Sequence, residues 1–126
     1  MIQLLLHLWG DYILQSDWMA QNKTKSSLPC WCHVVCYSFP FLILRPSWRA
    51  FAVIAVTHFF IDRFRLARFV VQAKNILGMP WSRDFTVYQT ATGYPADALP
   101  WLAFWLLIIA DNVLHLTINF FALRYL

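Results

Sequence analysis

Residues 100–126 read PWLAFWLLIIADNVLHLTINFFALRYL. The run is long and apolar enough to cross a bilayer as a helix, for which about 20 residues suffice. Pro100 falls in its first turn, where a missing N–H costs nothing, and Asp97 can cap it. Asp111 and His115 break the apolar character. They are four positions apart, so they share one helix face. An ionisable pair on a membrane helix is expensive, and it faces the protein interior with partners. Those partners have to come from the rest of the chain.

The composition points to the same solvent. The chain has 126 residues, 60% hydrophobic and 18% aromatic, with only 13% charged, against about a quarter charged in an ordinary soluble domain. So short a chain cannot bury that much apolar surface within itself, and a bilayer is its natural environment. Seven Trp and five Tyr suit the membrane interface. The net charge of +4 reads as membrane topology and attraction to anionic lipid. A nucleic-acid binder would not be this apolar. Cys30, Cys32 and Cys36 read as small packing residues rather than a disulfide framework. The N-terminus lacks the basic region of a signal peptide, and its apolar run carries His7 and Asp11.

Three further helices are expected. The first covers residues 1–16, about 24 Å long, short for a full span. The second covers 28–44, with Ser27 as cap, Pro29 in the first turn, a kink at Pro40 and Pro46 ending it. The third runs over 48–74, apolar at first, then amphipathic and basic. The fold class is therefore an all-α membrane protein, a single domain over 1–126. About four helices would form an antiparallel bundle, with a long loop, 75–97, between the last two. That loop carries Trp81, Arg83, Tyr88 and Tyr94, and reads equally as a lid or as a connector. Lys23, Lys25, Arg65, Arg68, Lys74 and Arg83 fall on one side, and Arg45, Arg49 and Arg124 on the other. The chain is then expected in a bacterial inner membrane with the more basic loops cytoplasmic and both termini outside.

Three of the four histidines have an aspartate at helical spacing: His7 with Asp11, His58 with Asp62, and His115 with Asp111. Chance placement would give about 0.4 such pairs. In an antiparallel bundle the order reverses in the last helix, as it should if all histidines lie toward one side. Counting about 1.5 Å per residue puts all four, His33 included, roughly 10–17 Å deep. Carboxylates gathered at one depth repel unless protons or cations neutralise them. Imidazole with carboxylate suits zinc, and also iron or manganese. His7, Asp11, His33, His58, Asp62, Asp111 and His115 are the candidate ligands of one or two divalent ions. His33, with no aspartate partner, reads equally as a hydrogen-bonded core residue. A metal-free polar network that relays protons is the alternative for the whole set. Gln15, one turn beyond Asp11, can orient a ligand or touch substrate. Arg63 and Arg65 can meet a phosphate or anchor to lipid headgroups. Asn112 and Asn119 suit helix–helix hydrogen bonds. The chain has no glutamate, so a base must be an aspartate, a histidine or metal-bound hydroxide. It has no Gly-rich phosphate loop and no nucleophile elbow.

His7, Leu8, Asp11, Tyr12, Leu14, Gln15, Asp17 to Ala20, Asn22 and Lys23 together resemble the N-terminal signature of a family of small, uncharacterised bacterial and phage membrane proteins. Its later segments match His58 with Asp62, and Asp111, Asn112 and His115. Tyr12 stands where Phe is commoner. The resemblance implies a membrane protein with a shared polar site in a domain of unknown function. A looser likeness, at pattern level, is to membrane-bound metal-dependent hydrolases. Phage origin would imply an accessory role, such as interference with host defence.

The leading expectation is a membrane-embedded, metal-dependent hydrolase of a phosphoester or another lipid-linked bond, with Asp62 or Asp111 taking the proton. Membrane lipid and a lipid-linked substrate are the expected partners, and nucleic acid is not. The alternatives are a structural metal site in a protein that binds a host membrane protein, and a proton or metal-ion transporter, which would need a homo-oligomer.

Overall fold

The computed structural model describes residues 1–78 and 90–126. Trp81, Arg83 and Tyr88 lie outside the described residues. Six α-helices form among them: α1 (Ile2–Leu8), α2 (Asp17–Asn22), α3 (Ser27–Ser38), α4 (Trp48–Phe64), α5 (Ala67–Gly78) and α6 (Pro100–Tyr125). No strand is present among the described residues. The all-α expectation holds, with more and shorter helices than the sequence suggested.

The differences have local causes. The first helix stops early: α1 passes into a single π-helical turn, Trp9–Ile13. Ser16 then caps a helix that the sequence pattern does not announce, α2, by accepting from the Met19 N–H at 3.3 Å. Pro40 tightens the end of the second segment into a 3₁₀ stretch, Phe39–Leu44, and Arg45 adopts a left-handed conformation at φ 48° just before Pro46. The expected third helix is two helices, because Arg65 also turns left-handed, at φ 52°. Neither glycine nor proline marks that break. α6 starts at Pro100 itself, so Asp97 is too far upstream to cap it.

The described residues make two compact units. One comprises Met1–Phe64 with His115–Leu126, and the other Arg65–Leu114. In the first unit, Leu6, Tyr37, Phe41, Ala50, Ile54 and Ala122 form the apolar core. A smaller cluster joins Cys30, Val34 and Phe59. Cys30 is buried, with its thiol 3.7 Å from the Phe59 carbonyl, which agrees with a packing role. In the second unit, Asn75 Nδ2 donates to the Gly93 carbonyl at 3.1 Å and Lys74 Nζ to Tyr94 Oη at 3.0 Å.

Two segments, Ser27–Leu44 and Pro100–Tyr125, are long and apolar enough to cross a membrane. Along Pro100–Tyr125 only 17% of the most apolar window is buried. Trp101, Phe104, Trp105, Ile109, Phe120 and Phe121 are all exposed.

Candidate metal centre

The buried ionisable groups of the first unit converge on one point. His7, His33, His58 and His115 are at most 1% exposed, Asp62 5% and Asp11 8%. α4 brings His58 and Asp62 on successive turns of one face, as the spacing required. α3 brings His33, and the end of α6 brings His115. The π turn delivers Asp11, and such turns are frequent at functional sites. Gly10 makes that delivery possible. A Cβ there would lie 2.7 Å from Tyr37 Cδ2 and 2.9 Å from the Tyr37 carbonyl oxygen, so only glycine lets the turn press onto α3.

Four donor atoms define the centre: Asp11 Oδ1, His33 Nε2, His58 Nε2 and Asp62 Oδ2. Asp11 Oδ1 is 3.1 Å from His33 Nε2 and 3.4 Å from His58 Nε2. Asp62 Oδ2 is 3.2 Å from His33 Nε2 and 3.3 Å from His58 Nε2. The two nitrogens are 2.9 Å apart. All four atoms lie within 4.8 Å of one another. Donors about 2.0–2.1 Å from a tetrahedral ion are separated by about 3.3–3.4 Å. The five separations thus scatter around the edge length of such a site.

Hydrogen bonding alone does not account for the arrangement. Each imidazole Nε2 carries at most one hydrogen, yet each has three neighbours of the cluster within 3.4 Å. Asp62 Oδ2 is buried with no well-directed hydrogen bond among the described residues, although two imidazole nitrogens and an ammonium surround it. Oxygen and nitrogen donors gathered this closely suit a cation. This cluster of Asp and His can hold a metal ion.

The outer carboxylate oxygens face the other two histidines. His7 Nε2 is 3.4 Å from Asp11 Oδ2, and His115 Nε2 is 3.2 Å from Asp62 Oδ1. Partners of this kind orient metal-binding carboxylates. His7 is held in turn. Its Nδ1 is 2.9 Å from Tyr37 Oη, which accepts from Asn119 Nδ2 at 2.6 Å. The Tyr37 ring stacks on His58 with centroids 3.6 Å apart. Lys23 enters from the end of α2, its Nζ 2.7 Å from Asp62 Oδ2.

All four histidines therefore meet with Asp11 and Asp62. Asp111 is half-buried on α6, one turn before His115, and belongs to the second unit. Gln15 is half-buried, and its Oε1 has no hydrogen-bond partner among the described residues. The arginines are engaged with main chain. Arg63 donates to the carbonyls of Thr24 at 2.6 Å and Lys25 at 3.3 Å, and Arg65 to that of Ala91 at 3.2 Å. Sequence reasoning places none of Lys23, Tyr37 and Gly10 at this centre. Lys23 stands in the N-terminal signature, and that is the only signal for it. Asn119 does bridge helices, as expected.

Over residues 1–123 the sequence matches the model of a family described as "Protein of unknown function (DUF3307)". No curated protein and no solved structure matches.

Proposed function

The chain belongs to the DUF3307 family, to which no activity is assigned, and from its site we propose a membrane-embedded hydrolase that uses one divalent ion, zinc first among the candidates. Its substrate class is a phosphoester or another lipid-linked bond. The observation that carries the metal is the buried set of four donors on Asp11, His33, His58 and Asp62, in which each imidazole nitrogen lies 2.9–3.4 Å from the other three donors. Two carboxylates and two neutral imidazoles balance a divalent charge, which is what a buried ion requires. Bound there, the ion supplies Lewis-acid chemistry for a phosphoryl oxygen and for water. The chain's part is to hold the donors still: His7 and His115 fix the carboxylates, and Tyr37 and Asn119 fix His7.

Membrane insertion is supported by α6. A core helix of a soluble protein is mostly buried, whereas this one is 17% buried over its most apolar window and exposes large aromatic side chains. Lipid tails would cover that surface.

A second reading has its own support. Four protein donors complete a tetrahedron, as in structural zinc sites, while catalytic sites keep one position for water or substrate. The chain would then be a metal-stapled bundle whose task is to engage another membrane protein.

One experiment separates these readings. Detergent-purified protein is assayed for metal by mass spectrometry and for hydrolysis of a panel of lipid and chromogenic phosphoesters. The hydrolase reading expects one zinc per chain and turnover abolished by chelation and by His58→Ala. Zinc without turnover, and without an exchangeable water in the cobalt-substituted spectrum, supports the staple. No metal in carefully prepared protein sinks both.

A further inference from the structure

The second unit carries a cation that the metal reading does not use. Two of its basic side chains spend donors on the turn that follows residue 89. Arg65 Nη2 donates to the Ala91 carbonyl at 3.2 Å, and Lys74 Nζ to Tyr94 Oη at 3.0 Å. Asn75 adds its bond to the Gly93 carbonyl at 3.1 Å. Gly93, at φ 77°, packs against α5 itself. A Cβ there would strike the Arg68 carbonyl oxygen and lie 3.0 Å from the Gln72 backbone nitrogen. The turn is thus clamped along α5.

Arg68 is placed differently. The ion pairs among the described residues involve Lys23 and the four histidines, and none involves Arg68. Its Nε is buried with no hydrogen-bond acceptor among the described residues. A buried donor on a charged group is costly to leave in that state. The guanidinium carbon lies 4.6 Å from the centre of the Phe69 ring, which restrains the group. Arg68, Phe69, Gln72 and Thr90 line a cavity of about 420 Å³. Gln72 follows Arg68 by four residues, so the two share one helix face. The Thr90 hydroxyl donates to the Tyr94 carbonyl at 2.6 Å. The donors left for a ligand are therefore those of Arg68 and Gln72.

A guanidinium presents Nε–H and an Nη–H side by side, a fork that matches two oxygens of one phosphate. A cavity of this size suits an organic ligand rather than a bare ion. The same helix indicates the source. Phe69, Val70 and Leu77 are 48%, 47% and 82% exposed. A helix that exposes such apolar groups beside Arg and Lys suits the membrane interface, where headgroup phosphates lie.

We propose that the cavity beside Arg68 and Gln72 binds the phosphate group of a lipid headgroup, with the Arg68 guanidinium as its fork. The proposal rests on the membrane reading of the chain and is independent of the metal. Alkaline extraction tests the membrane reading separately.

The test titrates detergent-purified protein calorimetrically, at physiological salt, with dihexanoyl phosphatidylglycerol, with dihexanoylglycerol, which lacks the phosphate, and with inorganic phosphate. Wild type is compared with Arg68→Met, Arg68→Lys, Gln72→Met and Arg49→Met, after circular dichroism shows equal helix content. Loss of hydrogen bonds to a charged group predicts phosphatidylglycerol binding about tenfold weaker or more in Arg68→Met. Arg68→Lys should recover only part, because a point charge replaces the fork. Gln72→Met should weaken binding severalfold. Arg49, exposed in the first unit, controls for net charge, and Arg49→Met should stay within about twofold, since exposed charges are screened. Should Arg68→Met lose helix, Arg68→Lys and Gln72→Met carry the test. Binding of inorganic phosphate as well, weakened by Arg68→Met, supports the site for the phosphate group itself. Binding of inorganic phosphate without the lipid overturns the lipid source. Variants at Arg68 and Gln72 that bind phosphatidylglycerol like wild type overturn the proposal. So do equal weakening in Arg49→Met, equal binding of dihexanoylglycerol, and wild type that binds none of the three.

Discussion

His33 Nε2 and His58 Nε2 stand 2.9 Å apart, one on α3 and one on α4, with Asp11 Oδ1 and Asp62 Oδ2 within 3.4 Å of each. At that distance the two nitrogens can share one proton or one cation, but they cannot both be protonated. The pair joins two helices through chemistry rather than through apolar packing, and it distinguishes inner donors from outer ones.

That distinction is measurable. His33→Ala and His58→Ala should abolish stoichiometric metal. His7→Ala and His115→Ala should keep one ion per chain, held about 10–100-fold more weakly, as for lost outer partners elsewhere. Metal titrations of the four variants check this, and equal loss in all four contradicts the division.

Tyr37→Phe removes the hydroxyl that joins Asn119 to His7 and leaves two buried polar groups to be satisfied. A cost of about 1–3 kcal/mol in stability is expected, read from unfolding in detergent. Asn119→Ala should be less than additive with it, because both changes break the same chain of bonds. Full additivity would mean the two residues act separately.

Gly10→Ala tests the approach of the π turn to α3. The added methyl meets Tyr37 at 2.7 Å, including backbone at 2.9 Å, so the turn must move rather than a side-chain tip. Overpacking of this kind costs about 1–3 kcal/mol. Weaker metal binding should accompany it, since Asp11 moves with the turn. Wild-type stability and metal affinity in this variant would show that the contact is not needed.

Membrane integration predicts resistance of the chain to alkaline extraction from cell membranes. Release into the soluble fraction would show that α6 is covered by something other than lipid.

Much of the centre was legible because helical periodicity is local. Asp11 and Asp62 each carry their histidine four residues away, so each pair declares its face without knowledge of the fold. His33 has no such partner, and its place was visible only as a matching depth. Lys23 and Tyr37 reach the site through turns and crossings that no local spacing records. The same limit applies to the backbone. Pro40 announced a kink, which takes the form of a 3₁₀ stretch, but Arg65, with φ 52°, ends α4 where the residues themselves favour more helix.

The π turn makes chain length itself a functional quantity. It accommodates one residue more than an α-helical turn does. Loss of Trp9 or Gly10 would shorten the spacing of His7 and Asp11 from four residues to three, a change of about 100° around a helix, and part the two side chains. Trp9, Tyr12 and Ile13 are 55%, 51% and 64% exposed, so exchanging one for another apolar residue should be mild. Deleting Trp9 should be ruinous. At this edge of the molecule the number of residues matters more than their identity.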